Sequence, residues 1–405
     1  MNESEKTNRN LAWGLSWVAY ASYYTGRKGF SVAKKSIVDQ LGVSTTALGV
    51  IDTLFLGAYA VGQFGSGVLG DRVGARRLIG FGMLASAGLC VGFGSAGGAV
   101  LFGLFFLLNG FAQSTGWPGT TRTMAEWTTP RDRATVMGFW GTCYQVGGIF
   151  AGFFSGWLLG HYGWRAAFYG PALWMTLVAV AVLSWLPRGG ARGSSGDNVT
   201  PTRAAVRALQ WEVVKKRVLW SYGLAYFFIK FIRYSLLFWL PFYLSQVHGH
   251  AGDTAAYIAV GFEAGGTVGA ICAGLISDRV RVPRGAVAMV FLLGLAGALL
   301  LYARYSTPDP WTNAALLALV GAALFGPDSL ISGAAAQDAG GPNAAAMATG
   351  FVNGVGSLGA LLEGLLVPRI ADAWGWSALF PVLVVLGLLA ALALLPTLRH
   401  GRAVG

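Results

Sequence analysis

Two arginines 206 residues apart stand inside apolar stretches of this sequence. Arg27 lies in AYASYYTGRKGFSVAKK (19–35) and Arg233 in YFFIKFIRYSLLFW (226–239), with Lys28 and Lys230 close by. A cation is costly in lipid, so an arginine in an apolar run reads first as part of a substrate or ion pathway. Each guanidinium offers a planar fork of donors to phosphate or carboxylate oxygens. Phosphate near neutral pH carries about two charges and several acceptor oxygens, which suits two arginines better than one. One arginine per half of the chain therefore points to a single anion site between two halves. Structural ion pairs, or side chains snorkelling to the interface, are the alternative. Lys28 and Lys230 add positive charge.

Other residues suit the same chemistry. Glu263, in VGFEAGGTVGA, is a lone acid in an apolar run and needs a partner, with Lys28 or Arg233 the natural candidates. Such a bridge either breaks and re-forms during a functional cycle or is permanently structural. Asp328 in LFGPDSLI and Glu363 in GALLEGLL are further acids in apolar runs. They sense protons, offset the extra lysine, or face a watery cavity with no special role. Tyr24, Tyr59, Trp117 and Tyr144, with Tyr20 and Tyr23, fall in one half of the chain and offer aromatic walls and phenol donors for an organic phosphate. Taken singly, each also fits packing or interface anchoring. Nothing points to catalysis. No phosphate-binding loop with a following Lys-Ser/Thr is present, the four histidines form no ligand pattern, and Cys90, Cys143 and Cys272 have neither disulfide nor metal spacing. No metal, no cofactor and no enzymatic activity are expected.

The elements that would hold these residues are membrane helices. Of 405 residues 55% are hydrophobic and only 11% charged, with a mean hydropathy of +0.57. The 60 glycines suit helices packed closely in a bilayer. Twelve spans of about 20 residues or more are expected, at 11–33, 47–70, 78–97, 99–122, 134–160, 165–186, 218–245, 254–277, 285–304, 312–336, 343–370 and 376–396. The polar start, MNESEKTNRN, reads as a cytosolic tail and not as a signal peptide. With that end inside, 19 cations fall in cytosolic segments and five (Lys34, Lys35, Arg165, Arg304 and Arg369) on the other side. This asymmetry puts both termini in the cytosol. It also accounts for the net charge of +12 without nucleic acid as a partner. The partners expected are the lipid bilayer and a small anion, bound by a monomer. The long polar stretch at 188–217 reads as a cytosolic linker between halves 1–187 and 218–405.

Internal repeats support two equivalent halves. GVLGDRVGARR (67–77) matches GLISDRVRVPRG (274–285), which sets Asp71-Arg72 and Asp278-Arg279 207 residues apart. GFWGTCYQVGGIFAG (138–152) matches GFVNGVGSLGALLEG (350–364) at an offset of 212, and the same offset pairs GWRAAF (163–168) with GWSALF (375–380). Glu363 falls on the repeat position of Ala151, so the repeat does not require an acid there. Halves in the same topology are a known transporter plan. In the two loops an aspartate beside a helix end, facing arginines, would latch neighbouring spans in one state. Asp71, Arg72, Arg76, Asp278 and Arg279 are therefore gating candidates.

With these residues in view, the chain resembles the major facilitator superfamily through the loop at 67–77 and its degenerate copy at 274–285. More narrowly it resembles the organophosphate:phosphate antiporter family. YYTGRKGFSVA (23–33), NGFAQSTGWPGTTRTMAEW (109–127) and IRYSLLFW (232–239) carry that likeness, which runs over all twelve spans. The resemblance implies an all-α membrane fold of two six-helix halves in the inner membrane, and exchange of an organophosphate for inorganic phosphate by alternating access. It implies that Arg27 and Arg233 bind the phosphate group and that Lys28 and Glu263 take part in a salt-bridge exchange. The chain departs from the family's glycerol-3-phosphate members at Tyr144, where they have histidine, at Gln63, where they have lysine, and at Phe325 and Ser357, where they have tyrosines. The phosphate grip is kept while the wall around the organic part differs. Two rivals stand beside this reading: a non-transporting sugar-phosphate sensor, and a proton-coupled transporter of another organic anion, which Asp328 and Glu363 favour.

Overall fold

A computed structural model describes residues 3–128, 136, 140–188, 215–280, 282–340 and 345–399, apart from the side chains at 64, 67, 68, 71, 125, 345–347 and 399. Every element among the described residues is helical. The first part of the chain forms α1 (Glu3–Tyr23), α2 (Thr25–Leu41), α3 (Thr45–Val73), α4 (Ala75–Ser95), α5 (Ala99–Gln113), α6 (Gly116–Trp127), α7 (Cys143–Tyr162) and α8 (Ala166–Trp185). The second part forms α9 (Arg217–His248), α10 (Gly252–Arg279), α11 (Arg284–Tyr305) and α12 (Pro310–Leu330). A π-helical turn (Ile331–Ala335), α13 (Ala336–Gly340), α14 (Ala345–Trp374) and α15 (Leu379–Ala393) follow. The chain divides into two compact units, Met1–Asp197 with His250–Val260, and Asn198–Gly249 with Gly261–Gly405. Almost all of the expected linker, and part of the fifth expected span, lie outside the described residues.

Ten of the described helical stretches are long and apolar enough to cross a membrane. The first and fifth expected spans are helical too, as α1–α2 and α7, but they are more polar. Arg27, Lys28, Lys34 and Lys35 all lie in α2. Large apolar side chains such as Phe81, Leu173 and Val290 stay exposed on their helices. An outer surface of this kind is a liability in water and the natural one in lipid. The chain is a multi-pass membrane protein.

Local sequence explains where the helices stop. Gly42 closes α2 at φ 63°, a left-handed conformation that costs glycine little. Ser44 then caps α3 by accepting from the Ala47 N–H at 3.2 Å. Asp309 caps α12 by accepting from the Thr312 N–H at 2.7 Å, with Pro310 in the first turn, where its missing N–H is harmless. Gly163 (φ 80°) and Gly375 (φ 78°) occupy the matched repeat positions in GWRAAF and GWSALF. The two copies therefore share a backbone conformation as well as residue types.

Aromatic side chains fill the interior of each unit. In the first, Phe93 packs against Phe168, Phe102, Phe30 and Phe106 at centroid separations from 4.4 to 5.7 Å, tying α2, α4, α5 and α8 together. In the second, Phe380 lies 4.1 Å from Tyr302 and 5.0 Å from Tyr243, joining α15 to α11 and α9. Such pairs add about 0.5–1.5 kcal/mol each beyond their area burial.

The first expected span ends at residue 33, with Lys34 just past it. The helix instead continues to Leu41, and Lys34 is buried in an ion pair with Asp52 of α3, both side chains fully shielded from solvent.

Candidate functional site

Arg27 sits just past a break between α1 and α2. The N–H groups of Tyr24 and Arg27 bond back to the carbonyls of Ala21 and Tyr24, three residues earlier, so the helix tightens there. Small residues let the tightened turn approach its neighbours. A side chain at Gly26 would collide with Gln113 and Met175, and one at Gly29 with the Ala167 carbonyl. The Gly26 carbonyl accepts from Asn109 Nδ2 at 3.0 Å, and Ser86 Oγ donates to Asn109 Oδ1 at 2.6 Å. This buried network fixes the backbone immediately before Arg27, because a polar group left unmatched there would be expensive.

The Arg27 guanidinium lies 4.5 Å from the centroid of the Tyr24 ring and 5.5 Å from that of Tyr59. Cation–π contacts of this kind contribute about 0.5–2 kcal/mol and hold the fork without consuming its donors. Tyr20 is buried at the centre of an aromatic cluster, 5.4 Å from Tyr144, 5.6 Å from Trp117 and 6.1 Å from Tyr24. Trp117 and Tyr144 are 5.7 Å apart. Tyr24, Tyr59, Trp117 and Tyr144 are thus brought together with Arg27, and Gln63 is half-buried one turn beyond Tyr59 on α3. Lys28 is buried and runs beside Gly152 of α7, where a Cβ would lie 3.9 Å from Lys28 Cε. Tyr23 has a different role: it is fully buried and hydrogen-bonds Thr115 at 2.8 Å and the Ile79 carbonyl at 3.2 Å.

In the second unit Arg233, on α9, pairs with Asp328 of α12, Nη1 donating to Oδ2 at 2.7 Å. Its guanidinium carbon lies 4.6 Å from the centroid of the Phe325 ring. Lys230, one turn earlier on α9, donates to Ser357 Oγ of α14 at 3.1 Å and lies near the Asn353 carbonyl at 3.5 Å. Glu263 and Glu363 are both buried, on α10 and α14. Arg233 thus pairs within this unit with Asp328, an acid the sequence put forward only as a proton sensor, a charge offset or a bystander.

The loop arginines do a specific job at helix ends. Arg76 donates from Nε to the Leu183 carbonyl at 2.6 Å and from Nη2 to Ser184 at 2.7 Å, meeting two of the last carbonyls of α8. Arg122 of α6 reaches the Gly70 carbonyl in the last turn of α3 at 2.7 Å and pairs with Glu126 at 2.9 Å. A cation at a helix C-terminus satisfies orphan carbonyls and opposes the negative end of the dipole. In the second unit the arginine that meets Asp278 is Arg284, at 3.1 Å, and it also holds Asp338 at 2.7 Å. Arg72 and Arg279 are exposed, and the Asp71 side chain lies outside the described residues. Arg122, Arg284, Asp338 and Asn353 were not among the sequence candidates. An Arg spaced four residues before a Glu was the only signal for any of them.

Helical rods in two units, a repeat in both sequence and backbone, and buried cations inside apolar helices define a membrane carrier. The chain belongs to the Major Facilitator Superfamily, whose profile matches residues 16–362, and its relatives set it in the organophosphate:phosphate antiporter family. It is 31% identical to sugar phosphate exchanger 3 of Xenopus laevis, over 93% of this chain and 90% of that one. It is 29% identical to the probable hexose phosphate transport protein of Chlamydia pneumoniae, over 94% and 89% of the two chains. It is 30% identical to the membrane sensor protein UhpC of Escherichia coli, over 95% and 90%. Among solved structures, a bacterial homologue of the human lysosomal transporter Spinster superposes with a TM-score of 0.77, over 96% of this chain and 94% of that one, at 17% identity. That likeness concerns the fold.

Proposed function

We propose that the chain is a secondary transporter of the inner membrane that exchanges an organophosphate for inorganic phosphate by alternating access. Arg27 and Arg233 bind the phosphate group, and Lys28, Lys230 and Glu263 balance charge around it. Tyr24, Tyr59, Gln63, Trp117 and Tyr144 form the wall against the organic part. The observation that carries this reading is the setting of Arg27. Its guanidinium is held against two tyrosine rings at the edge of an aromatic cluster, as a donor fork beside an apolar wall should be. The names of the hexose phosphate and sugar phosphate relatives support the substrate class. Both termini face the cytosol, and the protein works as a monomer.

The experiment is phosphate self-exchange in proteoliposomes, with a panel of organophosphates as competitors. The proposal expects trapped phosphate to exchange with external phosphate and a sugar phosphate to compete. A second reading, a non-transporting sensor, is favoured by the 30% identity to UhpC. A sensor would bind the same ligands with no flux, so the same preparation separates the two.

A further inference from the structure

We propose that Asp328 is the resident anion of Arg233: it occupies the guanidinium while no phosphate is bound, yields it to an arriving phosphate group, and takes it back as the phosphate leaves. The inference rests on the reading of Arg233 as a phosphate-binding residue.

Two ion pairs within apolar helices are built differently. Lys34 and Asp52 are both 0% exposed, as a permanent structural pair should be. Arg233 and Asp328 keep 23% and 10% of their side chains exposed, so the pair is internal yet reachable. The grip on Asp328 is one-sided. Oδ2 accepts from Arg233, while Oδ1 is buried and hydrogen-bonded to none of the described residues. A carboxylate satisfied at one oxygen is easier to displace than one bonded at both.

The surroundings allow the exchange. Phe325 sits one turn before Asp328 on the same helix and lies against the guanidinium, so Arg233 keeps a contact when the carboxylate moves away. The backbone around Asp328 is irregular. Pro327 precedes it inside the helix, and the π turn at Ile331–Ala335 follows within three residues. The Ser332 hydroxyl binds the Asp328 carbonyl at 2.7 Å. Proline and π turns both interrupt the regular hydrogen-bond ladder, so the backbone here is held by fewer regular bonds than in an unbroken helix.

The physical gain is in release. A phosphate leaving Arg233 with nothing to replace it would strand a cation inside the protein, and that is costly. A carboxylate three bonds from its own backbone replaces it at once. Deleting the carboxylate should tighten phosphate binding and slow turnover together. The gain should be the same factor for inorganic phosphate and for its esters, because the competition concerns only the group they share.

The test uses the full chain in nanodiscs for binding and in proteoliposomes for exchange. Wild type is compared with Asp328→Asn, Asp328→Ser and Asp328→Glu, with inorganic phosphate and glucose 6-phosphate as probes. Both neutral variants should bind each probe about tenfold tighter, the size of one charge-assisted contact, while the maximal exchange rate falls. Asp328→Glu, which keeps the anion, should lack the affinity gain, and a tenfold gain there too would overturn the proposal. Unchanged or weaker binding in the neutral variants, or a gain confined to one probe, would overturn the proposal. So would loss of folded protein in both that saturating phosphate does not restore, since phosphate should stand in for the missing anion beside Arg233. If wild type bound neither probe, the phosphate reading itself would fail, which is a different outcome from a wild type that binds while the neutral variants gain nothing.

Discussion

Lys34 and Asp52 lose all solvent contact on folding. Their pairing joins α2 to α3 just beyond the turn that carries Arg27 and Lys28. A single change should therefore be severe. Lys34→Met leaves Asp52 as an uncompensated buried charge, for which about 3–5 kcal/mol is lost. Adding Asp52→Leu should recover most of that loss, since an apolar pair of similar volume is often neutral or better. Thermal unfolding of the two single variants and the double in detergent checks this. A double variant no more stable than Lys34→Met would show that the pair itself, and not the relief of a lone charge, holds the helices. The sequence could not reveal this pair. A lysine next to the end of an apolar run looks the same whether the helix stops there, as the notional span did, or goes on for two more turns and folds the side chain inward. Asp328 was hidden for a related reason: its partner is 95 residues away on another helix, and spacing carries no trace of that.

At the scale of elements, close helix approach depends on glycines placed against backbone. On α10, Gly261, Gly265 and Gly269 recur at four-residue intervals and lie against the carbonyls of Ala314, Ala318 and Ala322 on α12. A Cβ at Gly265 would fall far inside contact distance of the Ala318 carbonyl oxygen, a backbone atom that cannot swing aside. Gly265→Ala should destabilise by about 1–3 kcal/mol or more, because α10 and α12 must separate. Gly294, on α11, faces open space. Gly294→Ala should be neutral or stabilising by about 0.4–1 kcal/mol through chain entropy. Melting temperatures for the two variants provide the comparison; equal effects would remove the packing argument. The spans themselves were legible, because uninterrupted apolar runs of sufficient length have few other fates. The break at Tyr24 was not. It depends on Gly26 and Gly29 meeting residues of α5 and α8, and those contacts exist only once the helices are packed.

At the scale of the whole molecule, the repeat was the most informative feature of the sequence. An offset of 212 pairs Gly163 with Gly375, and the two share a positive φ within a few degrees. Similar residues at matched positions met the same backbone demand twice. The uneven placement of cations predicts an orientation with both termini in the cytosol, and that prediction is open to a direct check. A reporter fused after Arg402 should be active only when cytosolic reporters are, and activity on the opposite side would reverse the assignment. The family-level departures at Tyr144, Phe325 and Ser357 gained a structural meaning once the helices were in place. Tyr144 joins the aromatic cluster, Phe325 lies against Arg233, and Ser357 holds Lys230.

The account stands on the two repeat-matched arginines gripping one phosphate, and phosphate affinity measured together with folded yield tests it most directly. The proteins to compare are wild type, Arg27→Lys, Arg233→Lys and the double variant. Lysine keeps the charge but not the planar fork. Each single change should weaken phosphate binding by about one to two decades, equivalent to about 1.5–3 kcal/mol, with the yield of folded protein unchanged. The double should lose less than the sum of the two, because both arginines act on the same ligand. Normal affinity in both single variants would contradict the account, and so would reduced yield with unaltered affinity in the protein that remains.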